Sequence, residues 1–245
     1  MCTLTYLPLN KHSFIATSNR DEQPGRAANG LFLTTNANGV QLLFPKEPQA
    51  GGTWLATSND NRLACILNGA FERHHRNPPY RRSRGLLLLD FFEYPNTSDF
   101  VNNYDFTHIE PFTLILYDKG TLTEMRWDGE VQHIQPLQPD LPYIWSSATL
   151  YTPEARALRN YWFTQWLQEN HLFTVPEILQ FHTTAGKDNA SNGLVMNRFN
   201  MVKTISITSV LKTATAFEWL YKDLVHERQS SHTLPLLTAQ HAIKK

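Results

Sequence analysis

The chain has 245 residues, 41% hydrophobic and 12% aromatic, enough apolar side chain for the core of one large domain. Its 22 basic residues balance 22 acidic ones, so the formal net charge is zero and the basic field expected of a nucleic-acid-binding protein is missing. Two cysteines exclude a disulfide framework and suit a reducing, cytoplasmic compartment. No apolar run reaches membrane-spanning length, and no basic stretch followed by an apolar one marks a leader.

In chain order, residues 2–9 read as a strand and 12–17 as its hairpin partner, which returns Asn19-Arg20-Asp21-Glu22 to the end where Cys2 sits. Residues 23–30 form a loop. Asn36-Ala37-Asn38-Gly39 is a hairpin turn between strands at 31–35 and 40–44, because Asn-Gly tolerates the positive φ such a turn needs. Gly51-Gly52 before Trp54 implies close backbone approach, to a ligand or to the strand carrying Cys2. Residues 53–57 and 62–68 pair as a further hairpin. The stretch 69–81 is irregular and, with Arg82 and Arg84, basic; it reads either as a mouth that steers an anionic group or as a solvated loop. His74-His75 lack the spacing of a metal site, since adjacent residues do not share a face.

Residues 84–94 are apolar nearly all round, as in a buried helix. A short helix at 97–103 follows, then a meander of strands at 112–118, 121–127 and 131–134, and a short strand at 141–146. Thr152 caps a helix running to Glu169 with Pro153 in its first turn, and Ala155, Leu158, Trp162 and Trp166 mark its apolar face. Thr174 and Glu177 make a capping box for a second helix, with Phe173 and Ile178 as a hydrophobic staple. A polar, mobile loop at 185–192 leads to strands at 202–210 and 213–219. One domain over 1–228 is expected, with 229–245 a loose or extended tail. Strands in two antiparallel groups separated by helices fit a layered α+β fold.

Chemistry is concentrated at the beginning. If Met1 is trimmed, Cys2 carries a thiol with pKa about 8.5 and a free α-amine near about 8 on one residue, and the amine can serve the thiol as base. An arginine beside the thiol favours thiolate, and Asp21 could hold the ammonium or orient the arginine. On these residues alone, an incidental cysteine followed by a polar turn is the competing reading.

Ser18-Asn19-Arg20-Asp21-Glu22 resembles the signature of the NRDE family, which includes the transport and Golgi organisation protein 2 group. Gly51-Gly52-Thr53-Trp54-Leu55-Ala56, the strand ending in Asn68, Arg82-Ser83-Arg84-Gly85, Pro111-Phe112-Thr113-Leu114-Ile115 and Trp145-Ser146-Ser147 with Thr152-Pro153 resemble further blocks in the family's order. The family is similar in turn to N-terminal nucleophile hydrolases, which implies a four-layer αββα sandwich. Carried over, the resemblance implies Cys2 as nucleophile, Arg20 and Asp21 as its activating pair and Asn68 as an oxyanion donor. Asn19, Glu22, Trp54, Arg84, Ser147 and Lys203 would bind substrate. Ser147 stands where the family carries asparagine, and Met201-Val202-Lys203-Thr204 where it usually carries Thr-Arg.

The activity implied is an amidohydrolase acting on a small amide or acyl substrate, with no metal and no cofactor. The alternative is a haem or acyl-lipid carrier on the same fold, toward which Ser147 and Lys203 lean; haem would then be the ligand. A scaffolding role has no large patterned surface to support it. Oligomeric state is not legible.

Overall fold

The computed structural model describes residues 3–170 and 172–237. In chain order its strands and α-helices are Thr3–Asn10 (β1), Ser13–Glu22 (β2), Leu31–Thr35 (β3), Gln41–Pro45 (β4), Leu55–Ser58 (β5), Arg62–Asn68 (β6), Arg84–Asp90 (α1), Thr97–Asn103 (α2), Phe112–Asp118 (β7), Thr121–Trp127 (β8), Gln132–Leu137 (β9), Tyr143–Ser146 (β10), Pro153–Glu169 (α3), Val175–Thr184 (α4), Asn197–Arg198 (β11), Val202–Lys212 (β12), Ala216–Asp223 (β13) and Arg228–Pro235 (β14). Among the described residues the strands form two seven-stranded antiparallel sheets. One runs β3 to β9 in sequence order. The other has the order β10-β1-β2-β12-β13-β14, with β11 paired to β12.

The inner faces of the sheets bury each other. Leu4, Phe14 and Phe217 join Leu63, Cys65 and Tyr117 in one apolar cluster, where Phe14 and Tyr117 meet edge-on at 4.7 Å. Trp219 Nε1 donates to Thr57 Oγ1 at 2.9 Å, tying one sheet to the other. On the outer face of the meander, Leu87, Leu88, Phe91, Phe92 and Phe100 from the α1–α2 segment extend the same cluster. On the outer face of the second sheet, Phe163, Ile178 and Phe181 from α3 and α4 pack on Leu7 and Ile15. Helices thus cover both sheets, giving the four-layer αββα sandwich. Each large apolar side chain so buried contributes about 1.5–3 kcal/mol.

Local signals explain the boundaries. Gly39, at φ 77°, closes the Asn36–Gly39 turn. Thr174 and Glu177 form a reciprocal capping box at α4, and Thr152 caps α3. The apolar segment from 84 breaks at Asp90 into a 3-10 turn over Phe91–Glu93.

Three expectations are refined. Residues 229–235, assigned to a loose or extended tail, are extended but fully paired with β13, from Lys222↔Gln229 to Ala216↔Pro235. Their polarity suits an edge strand whose outer side meets water. On α3, Ala155 is buried as expected and Trp162 and Trp166 pack half-buried against the Phe163–Ile178 cluster, but the most deeply buried stripe is Ala155, Arg159 and Phe163. The loop at 185–192 folds into consecutive turns, with Asn189 N bonded to Gly186 O and Gly193 N to Asn189 O.

Candidate active site

The run Asn19-Arg20-Asp21-Glu22 ends β2, between β1 and β12: Thr3 lies opposite Asn19 and Thr204 opposite Asp21. Successive strand residues point to opposite faces. Arg20 and Glu22 therefore face a cavity at one end of the sandwich, and Asn19 and Asp21 face the α3–α4 layer. Arg20 and Asp21, expected to act as a pair, are divided between the two sides of their sheet.

The cavity has a volume of about 400 Å³. Arg20, Trp54, Asn68 and Arg84 reach it from four separate segments. The Arg20 guanidinium lies 4.2 Å over the Trp54 ring, a cation–π contact, and donates to the Arg26 carbonyl at 2.7 Å. Burial lowers the Arg20 pKa, with Glu22 opposing. Among the described residues, Arg20 has no carboxylate within ion-pair distance. The other lining arginines do: Arg26 bridges Glu22 and Glu47, Arg84 and Arg76 share Glu110, and Arg82 forks onto Asp90. Five arginines against three glutamates line the space, an electropositive pocket for an anionic or carbonyl-bearing group.

Two glycine motifs shape its wall. Thr53 N donates to Gly85 O at 3.1 Å. A Cβ on Gly52 would sit 2.5 Å from the Gly85 carbonyl carbon, and one on Gly85 would sit 2.9 Å from Thr53 O. The close approach predicted at Gly51-Gly52 is therefore to the backbone at the start of α1. Asn68, at the end of β6, lines the cavity while its backbone carbonyl accepts from Ser147 Oγ at 2.8 Å. Ser147 holds Asn68 from behind and does not line the space. Lys203 is the cross-strand neighbour of Glu22 and is also outside the lining.

Behind β2 lies a buried polar network. Asn19 Nδ2 donates to the carbonyls of His182 and Leu194 at 3.0 and 2.7 Å, which leaves Asn19 Oδ1 to accept from His182 Nδ1 at 2.7 Å. His182 is then the Nδ1–H tautomer, and its Nε2 accepts from Thr5 Oγ1 at 2.8 Å. Burial, then the Arg159 charge, pushes the His182 pKa down to about 3, so the ring is neutral at physiological pH. Asp21 accepts from Tyr151 Oη at 2.6 Å and from Thr204 Oγ1 at 2.5 Å. Arg159 lies 3.5 Å from the Tyr151 ring centre and donates to Thr3 Oγ1 and to the carbonyls of Asn192 and Gly193. This network fixes the position of the chain one residue after Cys2. Cys2 itself lies outside the described residues.

Five of the ten residues named from the sequence (Arg20, Glu22, Trp54, Asn68 and Arg84) meet at the cavity. Asn19 and Asp21 lie behind it. Sequence reading missed Tyr151, Arg159, His182 and Thr204. The signals were present: a lone arginine at i+4 and i−4 from Ala155 and Phe163, and a histidine on the apolar face of α4. Cys65 is fully buried, and burial raises its thiol pKa, so it is an inert core residue. No cluster of metal-ligating side chains occurs among the described residues.

Three comparisons bear on this arrangement. A variant of conjugated bile acid hydrolase from Clostridium perfringens superposes with a TM-score of 0.60 at 9% identity, covering 94% of this chain and 92% of that one. The Caenorhabditis elegans orthologue of N-acylethanolamine-hydrolyzing acid amidase superposes with a TM-score of 0.55 at 14% identity, over 85% of this chain and 92% of that one. At such identities the likeness is one of fold, that of the N-terminal nucleophile hydrolases. In sequence, 89 residues are 36% identical to the Bos taurus homologue of transport and Golgi organization protein 2, over 34% of this chain; the matched stretch spans only 30% of that relative's length. The family model for transport and Golgi organisation 2 matches residues 1–215, and the chain belongs to that family.

Proposed function

We propose that the chain hydrolyses a C–N amide bond in a small acyl-bearing substrate, with Cys2 as an N-terminal nucleophile. The observation that carries this reading is the convergence of Arg20, Trp54, Asn68 and Arg84 on one cavity at the end of the sheet where β1 begins. Once Met1 is removed, the α-amine of Cys2 takes the thiol proton and the thiolate attacks the amide carbonyl carbon, forming a C–S bond. The carbonyl π electrons move to oxygen, where the Asn68 side-chain amide donates to the oxyanion; a donor of this kind lowers the barrier by about 3–4 kcal/mol. Collapse breaks the C–N bond, and the leaving amine takes the proton from the α-ammonium. Water then attacks the thioester by the same route and releases the acid and the thiol. Arg20 and Arg84 orient an anionic part of the substrate. Asp21, held by Tyr151 and Thr204, sets the electrostatics behind the nucleophile. No cofactor enters this chemistry.

The arginine-rich lining supports a second reading, a carrier that holds the carboxylate of a haem or an acyl lipid without turning it over. Intact mass and thiol alkylation come first, since a retained Met1 would sink the hydrolase reading. The deciding test is a panel of acyl amides assayed by mass spectrometry for release of the amine, with native protein and Cys2→Ala. The hydrolase reading predicts turnover that disappears in Cys2→Ala while the fold persists. Ligand retention without turnover, unchanged in Cys2→Ala, would establish the carrier instead.

A further inference from the structure

The opposite end of the sandwich holds a second cavity, of about 610 Å³, beside the β1–β2 and β7–β8 turns. Phe14 at its wall lies six positions before Arg20 along β2, about 20 Å at strand rise. Its apolar wall is three rings in series: Tyr6 and Phe14 with centroids 4.8 Å apart, and Phe14 and Tyr117 at 4.7 Å. Tyr6 is pinned by a 2.9 Å hydrogen bond from its hydroxyl to the Pro139 carbonyl.

Lys212, the cross-strand neighbour of Phe14, lines the same cavity and is only 3% exposed. Alternation along β12 puts Lys212 on the face of Val210, which belongs to the inter-sheet core. A cation thus occupies an inward position at the end of an apolar interface. An ammonium has three donors, and the hydrogen bond found for this one among the described residues is to the His12 carbonyl, at 2.8 Å. No carboxylate lies within ion-pair distance of it among the described residues. Burial lowers the Lys212 pKa, as expected for a charge short of a counter-ion. At the rim, Lys11 and Lys119 add positive charge against Asp140.

We infer that this cavity is a second binding site that takes a carboxylate borne on a flat aromatic body, with the carboxylate against Lys212 and the ring against Tyr6, Phe14 and Tyr117. The site is independent of the chemistry proposed at Cys2. An anion there supplies the partner the ammonium lacks, and the tilted rings supply an apolar wall for the body that carries it.

The test uses the full-length native protein and limiting pyridoxal phosphate. Its aldehyde condenses with a lysine amine to an imine with loss of water, and borohydride then reduces the imine to a stable secondary amine that peptide mass mapping locates. Lys212 should be labelled ahead of the exposed Lys46 and Lys187. Excess naphthoate should slow labelling of Lys212 at least tenfold and leave those two unchanged, whereas the neutral naphthamide should give no protection. In calorimetry, naphthoate binding should be lost in Lys212→Gln and retained in Lys212→Arg. The inference is overturned if Lys212 stays unlabelled while surface lysines react, if naphthoate and naphthamide protect alike, or if naphthoate slows every lysine equally. Labelling and protection on native protein decide the matter even if Lys212→Gln fails to fold.

Discussion

The two sides of β2 solve opposite problems with neighbouring residues. Toward the helices, Asn19 and Asp21 enter a network in which His182, Thr5, Tyr151, Thr204 and Arg159 meet one another's donors and acceptors. Toward the cavity, Arg20 is as deeply buried as Asp21, yet among the described residues it rests on an aromatic face and one carbonyl. A satisfied buried network contributes rigidity, whereas a buried charge short of partners costs stability and is kept for what it can bind. Substitutions behind β2 should therefore be read in folding, and substitutions in front of it in ligand handling.

Arg159→Ala should have the largest effect. It strips donors from Thr3 Oγ1 and from the carbonyls of Asn192 and Gly193, with an expected loss of about 3 kcal/mol or more in urea unfolding. Arg159→Lys should fall between, since an ammonium lacks the fork that reaches three acceptors. Unchanged stability in Arg159→Ala would break the contrast.

His182 gives the next effect. Its folded pKa of about 3 lies below its ordinary 6.5, so between those values the unfolded chain binds a proton that the folded ring refuses. The stabilisation is complete above pH 6.5 and is lost as pH falls toward 3, by up to about 1.4 kcal/mol per pH unit. Stability against pH should be steeper in native protein than in His182→Gln across that window; parallel curves would show that the ring titrates normally.

Gly52→Ala should cost about 1–3 kcal/mol, because its methyl meets the Gly85 backbone rather than a yielding side chain. Smallest in folding is Arg20→Met, with stability within about 1 kcal/mol of native because a poorly compensated buried charge is removed. Binding of any ligand found in the amide or acyl panel should nonetheless weaken at least tenfold. A variant that loses stability but keeps affinity would place Arg20 with the structural network.

Much of this was legible in the chain. The Asn-Gly turn and the Thr174–Glu177 capping box act through nearest neighbours, so local sequence suffices to read them. The NRDE run and the Gly51-Gly52 and Arg82–Gly85 blocks pointed to one locale because they converge in space. What could not be read depends on distant partners. The spacing of Arg159 from Ala155 and Phe163 puts it on the buried stripe of α3, but its acceptors, the Asn192 and Gly193 carbonyls, come from more than thirty residues away. Alternation along β2 was available in advance, but its meaning required knowing which layer covers each face. The polar strand at 228–235 carries little apolar signal because nearly all its side chains meet water, with Leu234 alone buried.

The pairing order has a consequence in time. Every strand of the β3–β9 sheet bonds only to its neighbour in sequence, so its pairings close short loops except at β6–β7, where residues 69–111 intervene. β2 is different: its second partner, β12, is joined at Asp21↔Thr204, 183 residues later. Loop-closure entropy grows with that separation, and non-local pairing is slow. During synthesis the meander can therefore assemble while β2 still shows an open edge, and Asp21 gains Thr204 only when most of the chain has been made. The residues of greatest chemical interest lie on the strand whose setting is completed late.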